Sequence, residues 1–220
     1  MPKLKNDTRL LYNWFLVMYD IKDVRLVKNK GDRVICFSFV EDRKRYFGKL
    51  IHTDLQSEFV RERDINTYLN NNITTDKDSR YFTKMLKVFE NIPLPNELAE
   101  KLENADAADA ADAAAKYNLM VFAHSGNRPL RYYINRLSRD SFKDVLKQLR
   151  DATALLSKIG VIHYDLYCES NVMLKKENNK WVIKIIDFGL SYIDLTDDSD
   201  SDYKNILESI EYFNIKHINI

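Results

Sequence analysis

The sequence has little cysteine, almost no net charge and no long apolar run. Its two cysteines, Cys36 and Cys168, stand in unrelated contexts, so no disulfide framework or paired-thiol zinc site is encoded. A reducing, cytoplasmic setting is the expectation that follows. Lysine and arginine total 34 against 33 aspartates and glutamates, which leaves a formal charge of +1. That balance gives no argument for nucleic acid or an anionic membrane, because either partner usually leaves a basic patch or tail. The basic run Glu41-Asp-Arg-Lys-Arg45 is short and mixed with acids, and it reads as a solvated hairpin tip. The apolar stretch from Leu10 to Tyr19 is interrupted by Asn13 and closed by Asp20. It is too short to span a bilayer, no small-residue cleavage site follows it, and an amphipathic helix is the better reading.

What is present is a succession of patterns that 220 residues can fold as one core or as two small lobes sharing a cleft. Residues 1–23 read as a helical extension. Val34 to Val40 and Arg45 to Ile51 are rich in β-branched and aromatic side chains and predict a hairpin. Phe59, Arg63, Ile65 and Leu69 recur at helical intervals and predict a helix from Leu55 to Leu69, ended by the polar run Asn70 to Asp78. Met85 to Phe89 and Lys116 to Phe122 predict two more strands. Between them lie Pro93, Pro95 and a low-complexity tract at 104–115, whose alanines favour helix and whose Asp106, Asp109 and Asp112 are read as a solvated insertion.

From Pro129 the pattern turns helical. Ser141 is the expected cap for a helix whose stripe runs through Phe142, Val145, Leu146, Leu149, Ala152, Leu155, Leu156 and Ile159, stopped by Gly160. Asn171 to Lys175 and Trp181 to Ile186 predict a hairpin across Glu177-Asn-Asn-Lys180. A last helix is expected over Tyr203 to Phe213.

Two acidic signatures carry the chemistry. One is Val-Ile-His163-Tyr-Asp165-Leu followed by Asn171-Val-Met-Leu, and the other is Ile-Lys-Ile-Ile-Asp187-Phe188-Gly189-Leu. They resemble the catalytic loop and the metal-binding Asp-Phe-Gly of the protein-kinase superfamily. The likeness runs from about Val24 to Ile210 and is strongest from Ser141 to Ser191. It implies an α+β, bilobal kinase-like fold, with an antiparallel-sheet N-lobe over 24–123 and a truncated helical C-lobe over 124–220. It implies ATP and Mg²⁺ as cofactors and a protein substrate, while the charge balance and the short apolar run lead to the expectation of no nucleic-acid or membrane partner.

The resemblance also distributes roles. Asp165 would orient the substrate hydroxyl and take its proton. Asp187 would bind Mg²⁺ through a hard carboxylate oxygen. Asn171 would be the second metal ligand, although it stands six residues after Asp165 where the family pattern has five. Lys49 would contact the phosphates, with Glu62 as its helix partner and Glu58 as the fallback. His163 would brace the Asp-Phe-Gly turn, and Asp202 would brace the catalytic loop. Other departures are Tyr164 where regulated kinases carry arginine, a phosphate-covering hairpin with Gly31 as its one glycine, and no Ala-Pro-Glu after Asp187.

The short ending is similar to minimal, atypical kinases: the KEOPS kinase subunit, RIO-type kinases and compact kinases of large DNA viruses, the last of which would place it in a host cytoplasm. The basic tail of the KEOPS subunit is missing. The leading expectation is a serine/threonine protein kinase. The alternatives are a pseudokinase serving as a binding module, favoured by the sparse glycines and the extra loop residue, and a small-molecule phosphotransferase, disfavoured because Leu166-Tyr-Cys-Glu-Ser is not a His-Pro-Gly-Asn-like loop.

Overall fold

The computed structural model describes residues 22–30, 33–93, 116–126, 128–167, 170–196 and 201–213. The helical extension expected over 1–23 therefore lies almost entirely outside the described residues, as do the insertion at 104–115, Gly31 and Cys168. The chain divides into two units, residues 1–59 with 85–124, and residues 60–84 with 125–220.

The first unit is built on an antiparallel sheet of five strands in the order β1-β2-β3-β5-β4. The strands are β1 (Lys22–Lys30), β2 (Val34–Glu41), β3 (Lys44–His52), β4 (Met85–Pro93) and β5 (Lys116–Ala123). β2 and β3 pair without a break from Val34↔Ile51 to Glu41↔Lys44. Their turn is tight because Asp42 and Arg43 both take the left-handed conformation, with φ of 50° and 63°. Alternation along β2 and β3 puts Ile35, Phe37, Phe39 and Leu50 on one face, all of them buried. Gly48 sits in that face opposite Phe37, and the ring fills the space a side chain would need: a Cβ there would come within 2.2 Å of it. The opposite face carries Cys36, Lys49 and Met120 side by side across the three central strands.

Helix α1 (Gln56–Asn72) is the predicted first helix, three residues longer at its C-terminal end. The boundary between the two units falls within it, after Phe59. A second short helix, α2 (Asp76–Ser79), is capped by Thr75, whose hydroxyl accepts from the Asp78 N–H; the polar run read only as a terminator contains it.

In the second unit a 20-residue helix, α3 (Arg139–Lys158), lies on a three-stranded sheet of order β6-β8-β9. These strands are β6 (Arg128–Pro129), β8 (Val172–Glu177) and β9 (Lys180–Ile185). The segment after Pro129 is not continuously helical, since two 3₁₀ turns, Leu130–Tyr132 and Ile134–Arg136, precede α3. The cap of α3 is Ser138 rather than Ser141. Ser138 is extended, and its Oγ accepts from the Ser141 N–H at 3.2 Å, so the expected cap sits one turn inside the helix. Phe142, Val145, Leu149, Ala152 and Leu156 of the predicted stripe are fully covered and join Leu174, Ile183 and Ile185 in one core. Gln148 is buried in the same face: its Nε2 donates to Trp181 O at 2.8 Å and its Oε1 accepts from Ile183 N at 3.2 Å. That side chain ties the helix to the edge of β9. Two strands of two residues, β7 (Val161–Ile162) and β10 (Tyr192–Ile193), pair antiparallel, and a final helix, α4 (Ser201–Phe213), closes the described chain.

Candidate active site

Helix α3 ends where Gly160 takes φ of 70°. A Cβ there would meet the Asp194 carbonyl at 3.0 Å, so only glycine lets the chain pass this close on its way into β7. The chain then enters the core, and His163 is fully buried. Its backbone N–H donates to Asp202 Oδ2 at 2.7 Å, and the next N–H, of Tyr164, donates to Asp202 Oδ1 at 3.0 Å. Two consecutive donors taken up by one buried carboxylate hold Tyr164 in the left-handed region, with φ of 67°. The following residue, Asp165, is thereby aimed from a fixed backbone.

The imidazole of His163 makes the second anchor. Its Nε2–H donates to the Ile186 carbonyl at 3.0 Å, and its ring lies 4.7 Å from that of Phe188. Phe188 is buried and in turn meets Phe82 at 6.4 Å. Burial holds the imidazole below the ordinary histidine range, against the opposing pull of Asp202, Asp187 and Asp165. The ring is therefore neutral, with its proton on Nε2, and acts as a brace. On the other side of the loop, Ser191 Oγ donates to His163 O at 3.1 Å.

Asp187 follows strand β9 and takes φ of 64°, which turns the chain sharply before Phe188 enters the core. Ile186 N donates to Asn171 O at 3.0 Å, so the strand carrying Asp187 is registered against Asn171. Asn171 itself is buried, and its Nδ2 donates both to Asp165 O at 2.7 Å and to Asp165 Oδ2 at 2.8 Å. The extra residue in the loop thus leaves Asn171 within hydrogen-bonding reach of Asp165. Ser170, which occupies the usual offset, is exposed.

Asp165, Asn171, Asp187 and Glu62 all belong to the second unit, and Lys49 belongs to the first. Lys49 is half-buried on the central strand β3, flanked by Cys36 and Met120. Glu62 is 2% exposed, whereas Glu58 faces solvent. Gly31 lies outside the described residues.

The donor set is one of hard oxygens. With Nδ2 of the Asn171 amide donating twice to Asp165, its Oδ1 is an oxygen that could serve as a ligand, as could the carboxylate of Asp187. That chemistry fits Mg²⁺, which is bound through one or two carboxylates and completes its shell with phosphates and water. Among the described residues, no three His, Cys, Asp or Glu side chains are grouped to cage a metal unaided.

A family model, protein tyrosine and serine/threonine kinase, matches residues 51–218. The chain belongs to the protein kinase family. A probable serine/threonine-protein kinase of Dictyostelium discoideum, fnkB, is 33% identical to it over 132 residues, which covers 56% of this chain. The chain spans 24% of the length of that relative. The α+β architecture, an antiparallel sheet followed by helices around the catalytic hairpin, is that of a kinase domain.

Three residues in contact with this candidate site carried no signal in the sequence. Phe82 meets the ring of Phe188 at a tilt, from a position that precedes β4 and matches no periodic pattern. Ser191 is four residues past Asp187 and reads as an ordinary polar residue. Arg61 Nη1 reaches Gly189 O at 3.5 Å, from an exposed position on α1. Each is defined by a partner 28 to 128 residues away, or in the case of Phe82 by a ring across the core, and local pattern does not record such distances. No helix among the described residues is long and apolar enough to cross a membrane.

Proposed function

We propose that this chain is an ATP- and Mg²⁺-dependent serine/threonine protein kinase of minimal architecture, acting on a protein hydroxyl. The observation that carries the reading is the double hydrogen bond from Asn171 to Asp165, set on a backbone that Asp202 fixes from below. A carboxylate so held can receive a hydroxyl proton on one oxygen while the other keeps its hydrogen bond.

In this mechanism Asp165 Oδ1 accepts the proton of the substrate serine or threonine. The freed oxygen forms the new bond to the γ-phosphorus as the bond to the bridging oxygen of the leaving ADP breaks. Asn171 Nδ2 keeps the Asp165 carboxylate in one rotamer, so its free oxygen stays aimed at the incoming hydroxyl. Asp187 and Asn171 Oδ1 would hold Mg²⁺. The metal, when bound, neutralises charge on the phosphate oxygens. By the kinase resemblance, Lys49 would be the residue that takes part of the same charge, and Glu62 the helix glutamate of that pattern. His163 stays neutral and moves no proton. Tyr164, in the place of the arginine found in phosphate-gated kinases, supports activity that does not depend on phosphorylation of an activation segment.

The test is a thermal-shift titration with ATP in the presence and absence of Mg²⁺, run beside Asp187→Asn. A ligand that binds the folded state alone raises the melting temperature by mass action. We expect a magnesium-dependent rise that the variant loses. A flat response at millimolar ATP would turn the reading toward a binding module without transfer activity.

A further inference from the structure

Among the described residues, the segments around the catalytic loop carry a concentration of exposed apolar side chains. Ten large hydrophobic side chains are exposed among the described residues, and six of them are Tyr164, Tyr167, Leu190, Tyr192, Ile193 and Leu195. They come from two short segments, one spanning Asp165 and the other just after Asp187. Scattered single apolar residues are ordinary on a surface, but a group this concentrated marks an interaction site.

The surface is held in shape. Tyr192 and Ile193 form β10, paired with β7 immediately before His163. Asp194 N donates to Gly160 O at 2.7 Å, and Asp194 Oδ1 accepts from both the backbone N–H and the hydroxyl of Thr196. Leu195, 78% exposed, lies over Gly160, while Tyr164, 63% exposed, meets Tyr192 at 6.2 Å between ring centroids. The loop residue Tyr164, next to Asp165 in the chain, and the strand residue Tyr192 thus present neighbouring rings.

Charge says what kind of partner covers it. Residues 159–174 and 185–203 contain no lysine or arginine, while Asp165, Asp187 and Asp194 lie among the described residues of those two stretches. The cation brought to this segment by a described hydrogen bond is Arg61, at Gly189, six residues up the chain from Leu195. Exposed tyrosine faces attract guanidinium groups, and carboxylates beside them strengthen that preference. An acidic or phosphorylated partner would meet repulsion here.

We infer that the face formed by Tyr164, Leu190, Tyr192 and Leu195 with Asp194 selects the protein substrate, and that it takes a segment in which the accepting serine or threonine is accompanied by arginine and by an aliphatic side chain. The inference rests on the kinase reading above and adds the substrate class to it. The aliphatic group covers Leu190 and Leu195, and the arginine stacks on the tyrosines within reach of Asp194.

The experiment uses two pools of peptides with the same acceptor residues, one flanked by Arg and Leu and the other by Glu and Ser. Phosphate incorporation is measured on the full chain. A fluorescein-labelled Arg/Leu peptide with alanine at the acceptor position reads binding by anisotropy, without turnover. We expect kcat/KM about tenfold higher for the Arg/Leu pool. The double variant Leu190→Ser/Leu195→Ser should lose most of that preference through KM and weaken the labelled peptide about tenfold, with the ATP-induced thermal shift unchanged. Tyr164→Asn, which keeps a residue tolerant of positive φ, should weaken the labelled peptide as well.

Equal incorporation into both pools overturns the inference and leaves the kinase reading standing. So does peptide binding unaffected by either variant. An ATP shift with no incorporation leaves anisotropy to decide: binding lost in both variants upholds the face, and no binding removes it. Absence of both ATP shift and transfer sinks the kinase reading, and the inference about substrate falls with it.

Discussion

In the first unit a close contact is apolar: the ring of Phe37 lies over Gly48 where no side chain stands. In the second unit a polar anchor stands out, with two successive backbone donors, His163 N and Tyr164 N, ending on the carboxylate of Asp202. The sheet of the first unit is held by regular ladders such as that of β2 with β3, and Lys49 occupies a regular register position opposite Cys36. The site of the second unit is held by exceptions to regularity: Tyr164 and Asp187 at positive φ, buried Asn171, buried His163. Regular structure can supply a lysine on a strand. Aiming a carboxylate at a reacting hydroxyl needs a backbone that hydrogen bonds hold outside the common conformations.

The sharpest test of this contrast removes chemistry and leaves the frame. Asp165→Asn should lower phosphate transfer by about 10²–10⁴-fold, with Mg²⁺-ATP affinity and melting temperature nearly unchanged. Incorporation of labelled phosphate and calorimetric titration of nucleotide would check the two halves. Full activity in that variant would remove Asp165 from its assigned role.

Next in size is the frame itself. Asp202→Ala leaves two buried donors without their acceptor and should cost about 2–4 kcal/mol of stability, measured by urea denaturation. Asp202→Asn keeps one acceptor oxygen and should lose less. If the alanine variant is as stable as the parent, polar anchoring is not what holds the loop.

In the first unit, Gly48→Ala should destabilise by about 1–3 kcal/mol through overpacking against Phe37. Phe37→Leu in the same chain should recover part of it, and a double-variant cycle would show coupling of opposite sign to the individual losses. A fully additive cycle would mean that the strain is relieved elsewhere in the sheet.

The smallest effect concerns protons. Burial depresses the affinity of folded His163 for a proton, while the unfolded chain takes one up near the ordinary value of 6.5. Above that pH both states are neutral and this contribution to stability is complete. As pH falls below it, the unfolded state gains a proton that the folded state refuses, and stability is lost progressively toward the depressed folded value. Melting temperatures followed from about pH 7.5 down to about 5.5 should fall less steeply for His163→Phe than for the parent.

The same contrast explains what could be read in advance. Strands β2 and β3 were legible through their β-branched and aromatic content, and helix α3 through an apolar stripe of period 3.6. The cap of α3 was not, because Ser138 and Ser141 are both serines before an apolar stripe, and only the extended backbone at Ser138 separates them. Asp165 and Asp187 were visible through their neighbours in sequence. Gln148 was not, because its partners are Trp181 and Ile183 on another strand and its side chain interrupts no pattern. Asn171 was singled out by residue type against an unfavourable offset, and the hydrogen bonds to Asp165 supply the spatial relation that counting along the loop could not.

The Asp202 bridge also sets an order of assembly. Its two acceptor oxygens join the loop from 38 and 39 residues downstream, at the start of α4. During synthesis the catalytic loop, with Asp165 and Asn171 already made, has no carboxylate to close its backbone until that helix emerges. Nascent chains stopped before Ser201 would hold every proposed site residue and still lack the geometry, so the acquisition of activity is timed by the last described helix rather than by the residues that perform the chemistry.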